Sequence, residues 1–290
     1  MELSIIIVSW NVKHLLHKCL LSIYEKTQDL DFEVFVVDNA SKDNSAAMVA
    51  TEFPQVNLIA SNVNLGFAKA NNLAFAQTRG KYVLFMNPDM ELAENSFPQL
   101  IELMENDDKI ALATCRLIYP DWSLQRNIKN NPGLCDQVLI LLKLHHYLQP
   151  KCLKKYLAKD FDYNKEQEVK QIMGAFVFSR GEIIKEINGW DEDYFIWWED
   201  LDLCKRIQDL GYKIAYTPKT KIIHYEAKSF EQQRSLEKQK RFNRGMALYF
   251  LKHKGVLSYI VVKLLSNIGL VLAWLTQILN IKPKTQAQIK

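Results

Sequence analysis

Apolar runs alternate with amphipathic stretches through the first third of the chain. Leu3–Ser9 (LSIIIVS) is a β-forming run that stops at Ser9-Trp10-Asn11. Behind it Leu15, Leu16, Cys19, Leu20, Ile23 and Tyr24 fall on one face at i, i+3, i+4 spacing, the signature of a helix lying on a core. Residues 33–37 form a second apolar run, and a helix with an N-cap around Asn44-Ser45 is expected to reach residue 53. A third strand is expected at 56–60 and a helix of small residues at 67–77. Then comes Tyr82–Met86 (YVLFM), a continuous apolar run bounded by turn residues, as in a strand buried on both faces. Short loops joining βαβαβαβ predict a parallel, doubly wound sheet over residues 1–115.

The pattern then becomes less regular. A helix is expected at 94–106 and a strand at 110–114, followed by a polar and aromatic stretch at 121–126 that suits a loop facing a second substrate. Residues 134–156 are apolar and basic, which fits either a helix pair packed on the domain or an amphipathic insertion lying on a membrane surface. Strands are expected at 171–179, where Gly174 permits close backbone approach, and at 213–216 and 221–224. After a polar, helix-like stretch at 228–244, residues 256–281 carry a single charge, Lys263. The uncharged part from Leu264 is at the short limit of the roughly 17–25 residues that span a bilayer. An in-plane anchor, a marginal transmembrane helix and a helix packed on the domain all fit, and surface attachment is the preferred expectation. The expected division is a catalytic domain at 1–230 and a helical C-terminal extension at 231–290.

Composition narrows the function classes. With 290 residues, 48% of them hydrophobic, the chain can bury a full core. A net charge of +4 without a basic stripe argues against a nucleic-acid binder. The five cysteines are scattered without a CxxC pair, which suits a reducing cytosol better than a disulfide framework or a zinc site. A first strand starting at Leu3 leaves no room for a signal peptide.

The chemistry gathers at strand ends. Ser9 and Asn11, Asp38 and Ser41, Asn62 and Asn64, and finally Asp89 each follow an apolar run. In an open α/β sheet the carboxyl ends of the strands are where ligands bind. Asn87-Pro88 ends the fourth strand, because proline has no N–H for a ladder, and this leaves Asp89 just past its end as an oxygen ligand for a hard cation. No GxGxxG or GxxxxGK[ST] motif is present, so diphosphate would be held by a cation and side chains. Far along the chain Glu199, Asp200 and Asp202 stand in the first turn of a helix, and His224 ends a strand.

Asp38-Asn39-Ala40-Ser41, Asn64-Leu65-Gly66-Phe67, Asn71-Asn72, Asn87-Pro88-Asp89, Gly174-Ala175-Phe176, Trp198-Glu199-Asp200-Leu201-Asp202-Leu203-Cys204 and Ile222-Ile223-His224-Tyr225 occur in this order. Together they resemble family 2 of the inverting glycosyltransferases, with the GT-A nucleotide-sugar fold, and most closely its rhamnosyltransferase-like branch. The resemblance covers residues 3 to 230. It implies that Ser9, Asn11, Asp38 and Ser41 line the pyrimidine and ribose pocket, and that Asn64, Gly66, Asn71 and Asn87 lie along the sugar diphosphate. It makes Asp89 the last acid of the family's Asp-Xaa-Asp metal motif and His224 a second ligand for Mn²⁺ or Mg²⁺. Asp200 matches the catalytic base, with Glu199 its companion acid. Trp197 and Trp198 fit either a wall for an acceptor sugar, since aromatic faces pack against sugar C–H surfaces, or core packing. One departure is Asn87, which stands where the motif has its first acid and removes a negative charge from the metal site. The implied partners are a UDP- or dTDP-sugar and a glycan or lipid-linked acceptor, at the cytoplasmic face of the membrane. The competing reading is a non-catalytic nucleotide-sugar-binding module, which would have no need to keep both Asp89 and Asp200.

Overall fold

A computed structural model gives the fold of residues 1–226 and 235–278. The expected boundary at 230/231, residues 228–234 of the polar stretch and the last three residues of 256–281 lie outside the described residues. β1 (Leu3–Ser9), β2 (Phe32–Asn39), β3 (Asn57–Ser61) and β4 (Tyr82–Met86) run parallel in the order β3-β2-β1-β4. The crossovers are helices α1 (Lys13–Lys26), α2 (Ser45–Glu52) and α3 (Phe67–Phe75). This is the predicted doubly wound half. Its start-of-helix signal at α2 is read slightly differently by the fold: Asp43, rather than Asn44, accepts the Ser45 N–H (3.1 Å) and hydroxyl (2.5 Å).

The sheet continues with β5 (Met90–Leu92), α4 (Phe97–Glu105), β6 (Ile110–Ile118), β7 (Leu124–Gln125) and β8 (Ile128–Lys129). Helices α5 (Leu134–Leu141) and α6 (Lys151–Tyr156) make the insertion, and β9 (Gln167–Val169), β10 (Gln171–Ile172) and β11 (Phe176–Arg180) follow it. Then come α7 (Gly181–Glu186), α8 (Glu199–Asp209) and β12 (Lys213–His224). β11 inserts antiparallel between β4 and β6, β12 lies parallel to β6, and β5 closes the edge antiparallel to β12. The expected strand at 171–179 is two pieces, because the chain leaves the ladder at Gly174 to meet Asp200, and β10 pairs with β8 instead. Conversely, 213–216 and 221–224 are one strand with a register shift between Thr217 and Lys221, where Pro218 can give no ladder hydrogen bond.

Two apolar layers cover the faces of the sheet, one around Leu16, Leu20, Phe97 and Leu100, the other around Ala70, Ala74, Trp190 and Leu203. A third core joins the C-terminal helices α9 (Ser235–His253) and α10 (Val256–Ile278) to the rest. In it Met246, Tyr249, Phe250 and Val262 pack with Tyr194, Trp198, Leu201 and the insertion's Leu141. The extension therefore shares a core with the segment that leads into α8, and α5 is a packed helix. Among the described residues no helix is long and apolar enough to cross a membrane. The cysteine reading also needs correction: Cys135 and Cys152 are joined as a disulfide, because α6 folds back on α5, a proximity that a gap of 17 residues does not reveal. Cys19, Cys115 and Cys204 are free and buried.

Candidate active site

The ends of β1 and β2 are stitched together by backbone-directed bonds. The Asn11 N–H donates to Ser41 Oγ (2.9 Å), the Ser41 N–H to Asp38 Oδ2 (3.1 Å), and the Lys42 N–H to Asn11 Oδ1 (2.6 Å). Asn11 and Ala40 take positive φ values (53° and 64°) to make these turns. What remains open is informative. Ser9 Oγ and Asp38 Oδ1 are buried with no hydrogen-bond partner, and buried polar atoms of this kind call for a ligand or water. Both lie at the carboxyl ends of neighbouring strands, as a nucleoside pocket requires.

The loop before α3 is shaped by its own amides. Asn64 Oδ1 accepts from the Gly66 N–H (3.0 Å) and from Asn39 Nδ2 (3.1 Å), while Asn39 Oδ1 accepts from the Leu65 N–H (2.7 Å). Gly66 has φ +83°, and a Cβ there would stand 2.5 Å from the Phe195 carbonyl oxygen, so glycine is required twice over. The Phe67 N–H donates to that same Phe195 oxygen (2.8 Å). Asn71 is buried within α3, and its amide donates to the Phe67 carbonyl (3.0 Å). Its neighbour Asn72 grips the Trp190 backbone with both ends of its amide (2.8 and 2.9 Å), docking the 189–198 segment onto α3.

At the end of β4 the Asn87 N–H donates to the Ala175 carbonyl (2.9 Å), which sets the Asn-Pro-Asp turn beside the start of β11. Asp89 is 4% exposed and His224 3%. The antiparallel register of β12 on β5 brings them together: His224 pairs with Met90, and the Tyr225 N–H donates to the Asp89 carbonyl (2.9 Å). His224 Nε2 lies 3.5 Å from Asp89 Oδ1, and neither atom has a hydrogen-bond partner. The other ring nitrogen, Nδ1, meets Gln125 Oε1 at 2.7 Å, so with the amide assigned this way Nδ1 carries the proton and the Nε2 lone pair faces the carboxylate. Two opposed, buried donor atoms, one of them oriented by an amide behind it, are the arrangement of metal ligands with an outer supporting shell. The residues thus fit a divalent cation. Among the described residues no third His, Cys, Asp or Glu joins them, so the remaining ligands would come from phosphate and water.

Glu199 and Asp200 open α8 after two consecutive residues in the left-handed region, Trp197 (φ 62°) and Trp198 (φ 77°). Bulky residues rarely accept such backbone, and here packing imposes it. Trp198 is 2% exposed among Phe242, Tyr249 and Phe250, and Gly245 of α9 approaches so closely that a Cβ would be 2.8 Å from the Trp197 carbonyl oxygen. Trp198 is therefore core, while Trp197 is half-buried. The Asp200 carboxylate accepts from the Gly174 N–H (3.1 Å) and the Leu201 N–H (2.9 Å). Burial pushes its pKa above the usual carboxylate range, while the Gly174 N–H, Lys129 and the Leu201 N–H pull it part of the way back. Glu199 is pushed up much further, by burial and then by the charge of Asp200, and its Oε2 has no partner. Asp202 goes the other way. Burial alone would raise it, but His253 (2.7 Å) and Arg206 (2.6 Å) outweigh that and hold it ionised.

Gln125, Lys129 and His253 are the supporting residues that the strand-end pattern missed. None stands at the end of a strand of the first half, and His253 arrives from a helix beyond the residues that carry the resemblance; Gly174, which holds Asp200, did carry a sequence signal, through its lack of a side chain.

Residues 4–177 match the model of the family described as Glycosyl transferase family 2, and residues 156–281 match Glycosyl transferase family group 2. Rhamnosyltransferase WbbL of Escherichia coli is 26% identical over 231 residues, covering 76% of this chain and 82% of the relative. The N-acetylglucosaminyl-diphospho-decaprenol L-rhamnosyltransferase of Mycobacterium tuberculosis is 24% identical over 211 residues, covering 68% and 67%. The mannosyltransferase PcManGT of Pyrobaculum calidifontis, solved in complex with GDP-Man and Mn²⁺, superposes with a TM-score of 0.58 at 15% identity over 99% of this chain and 78% of that one.

Proposed function

The chain belongs to glycosyl transferase family 2, and from that premise we propose an inverting hexosyl- or deoxyhexosyltransferase that acts in bacterial surface polysaccharide synthesis. Its donor is a UDP- or dTDP-sugar and its acceptor a hydroxyl of a glycan or lipid-linked oligosaccharide, met at the cytoplasmic face of a membrane to which the protein is peripherally bound. The rhamnosyltransferase relatives favour a deoxyhexose, and the decaprenol-linked substrate named for one of them favours a lipid-linked acceptor.

One observation carries the reading: Asp200 and Asp89 are tied to adjacent strand ends of the same sheet. Gly174 holds Asp200, and its neighbour Ala175 accepts the Asn87 N–H two residues before Asp89. A single in-line displacement at an anomeric carbon needs a base on one side and charge stabilisation of the leaving diphosphate on the other. Asp200 takes the proton of the acceptor hydroxyl, aided by a pKa raised toward the working pH. Glu199, whose pKa burial and the Asp200 charge push well above the usual carboxylate range, belongs to the helix start. A divalent cation, Mn²⁺ or Mg²⁺, would be held by Asp89 and His224 and supplies Lewis-acid stabilisation of the departing diphosphate when bound. Ser9 and Asp38 offer their open oxygens to the nucleoside, and the loop at Asn64 and Gly66 borders the sugar phosphate. Trp197 offers an aromatic face to the acceptor ring.

The test is nucleoside-diphosphate release across a panel of sugar nucleotides, with and without Mn²⁺ or Mg²⁺. Metal-stimulated release with one or two donors, dependent on an added glycan or lipid-linked acceptor, is expected. Binding of a sugar nucleotide without release under any of these conditions would make the chain a non-catalytic module.

A further inference from the structure

Helix α10 buries one side and leaves the other bare. Tyr259, Val262, Leu265, Ser266 and Gly269 face α9 and α5, Gly269 so closely that a Cβ would be 3.1 Å from the Leu141 carbonyl oxygen. On the outer side Leu257 (82% exposed), Ile260, Leu264 (64%), Ile268 and Val271 follow one another at three- and four-residue steps, with Trp274 (52%) near the far end. A stripe of large apolar side chains this long is not an ordinary solvated face. A second exposed group begins three residues after Leu141, where α5 ends against α10: Leu144, Tyr147 (85%) and Leu148 (51%). It leads into α6, whose Lys151, Lys154 and Lys155 are exposed while Leu153 and Tyr156 are buried.

Charge selects the occupant. From Gln137 to Lys159 the chain contains no Asp or Glu, and from Lys254 to Lys290 it again contains none, while each segment carries lysines. A second copy of this chain would bring the same positive charges to the same place. A surface that pairs an apolar stripe and aromatic side chains with unopposed lysines is matched by an anionic phospholipid bilayer, where apolar groups enter the acyl boundary and ammonium groups meet headgroup phosphates.

We propose that the outer stripe of α10, together with the exposed turn after α5 and the lysine face of α6, is an in-plane docking surface for an anionic lipid bilayer. The inference deepens the peripheral attachment proposed above by naming the surface and the lipid charge it selects. Because α5 and α10 also enclose Trp198 and Leu201, docking through this face anchors the bilayer to the same core that supports the start of α8.

The experiment is co-sedimentation of the purified full chain with vesicles of phosphatidylcholine alone or phosphatidylcholine with phosphatidylglycerol, with no donor or acceptor present. Binding to the anionic vesicles is expected to exceed binding to the neutral ones and to weaken with salt. Leu257→Glu combined with Leu264→Glu should lower anionic-vesicle binding at least tenfold. The independent variant Lys151→Gln, Lys154→Gln, Lys155→Gln should lower it by on the order of a hundredfold at low salt and remove most of the salt sensitivity. Wild-type indifference to vesicles, or unchanged binding by the leucine pair, would overturn the proposal. So would a wild-type dimer in light scattering that the leucine pair converts to monomer without any vesicle binding. Because transfer is not read in this assay, its failure leaves the transferase reading intact. Loss of transfer on a panel of donors would likewise leave vesicle binding to be judged by itself.

Discussion

The imidazole of His224 turns an open Nε2 toward an open Oδ1 of Asp89 at 3.5 Å, and Gln125 fixes that orientation from behind at 2.7 Å. With Asn87 in place of the motif's first acid, this pair is the only His and acidic contribution the fold brings to a cation there among the described residues. Each partner should therefore matter. Asp89→Asn and His224→Ala are each expected to abolish measurable Mn²⁺ binding by electron paramagnetic resonance. Gln125→Leu should weaken it by roughly 10–100-fold through loss of ring orientation. Mn²⁺ binding undiminished in His224→Ala would leave the imidazole a merely structural group.

Asp202 supplies a pH test of how the C-terminal helices hold α8. Its folded-state pKa is depressed below the usual carboxylate value of about 3.9, by His253 and Arg206 acting against burial. A depressed acid stabilises the fold fully above its unfolded pKa, and that contribution is lost as pH falls through the lower folded value. Asp202→Asn should thus cost roughly 2–3 kcal/mol in urea unfolding at neutral pH. The difference from wild type should shrink only below about pH 4. A gap that is already closed at pH 6 would mean that the pairing of Asp202 with His253 and Arg206 contributes nothing.

Gly245 tests the same contact sterically. A Cβ would sit 2.8 Å from the Trp197 carbonyl oxygen and 2.9 Å from Trp198 Cδ1, with backbone on one side and a buried indole on the other. Gly245→Val is expected to destabilise by about 1–3 kcal/mol and to lower kcat, because the displaced residues immediately precede Glu199 and Asp200. Unaltered thermal stability in differential scanning calorimetry would show that the two helices separate without cost.

The parallel half of the sheet was legible because its chemistry is local. β1 to β4 are apolar runs closed by polar turns, and each turn falls where a strand must end. Asp89, Asp38 and Ser9 followed from that alone. Asp200 and His224 needed the resemblance, since a helix-first-turn acid and a strand-end histidine have ordinary structural explanations. What stayed hidden depends on contacts between distant segments. Gln125 reads as a loop residue until β7 brings it under His224. Trp198 looks like a sugar platform until α9 covers it. The Cys135–Cys152 bond has the same cause, the folding of α6 back on α5.

The central claim is that Asp200 is the base, and the most direct measurement compares the transfer kinetics and donor affinity of wild type and Asp200→Asn across pH. Asparagine keeps the size and can still accept from Gly174, so donor binding should stay within a few-fold while kcat falls by about 10²–10⁴. In the wild type, the acid limb of kcat should lie above the ordinary carboxylate range, because burial raises the Asp200 pKa and the ionised form is the active one. Transfer by Asp200→Asn at the wild-type rate, with the acid limb unmoved, would contradict the account.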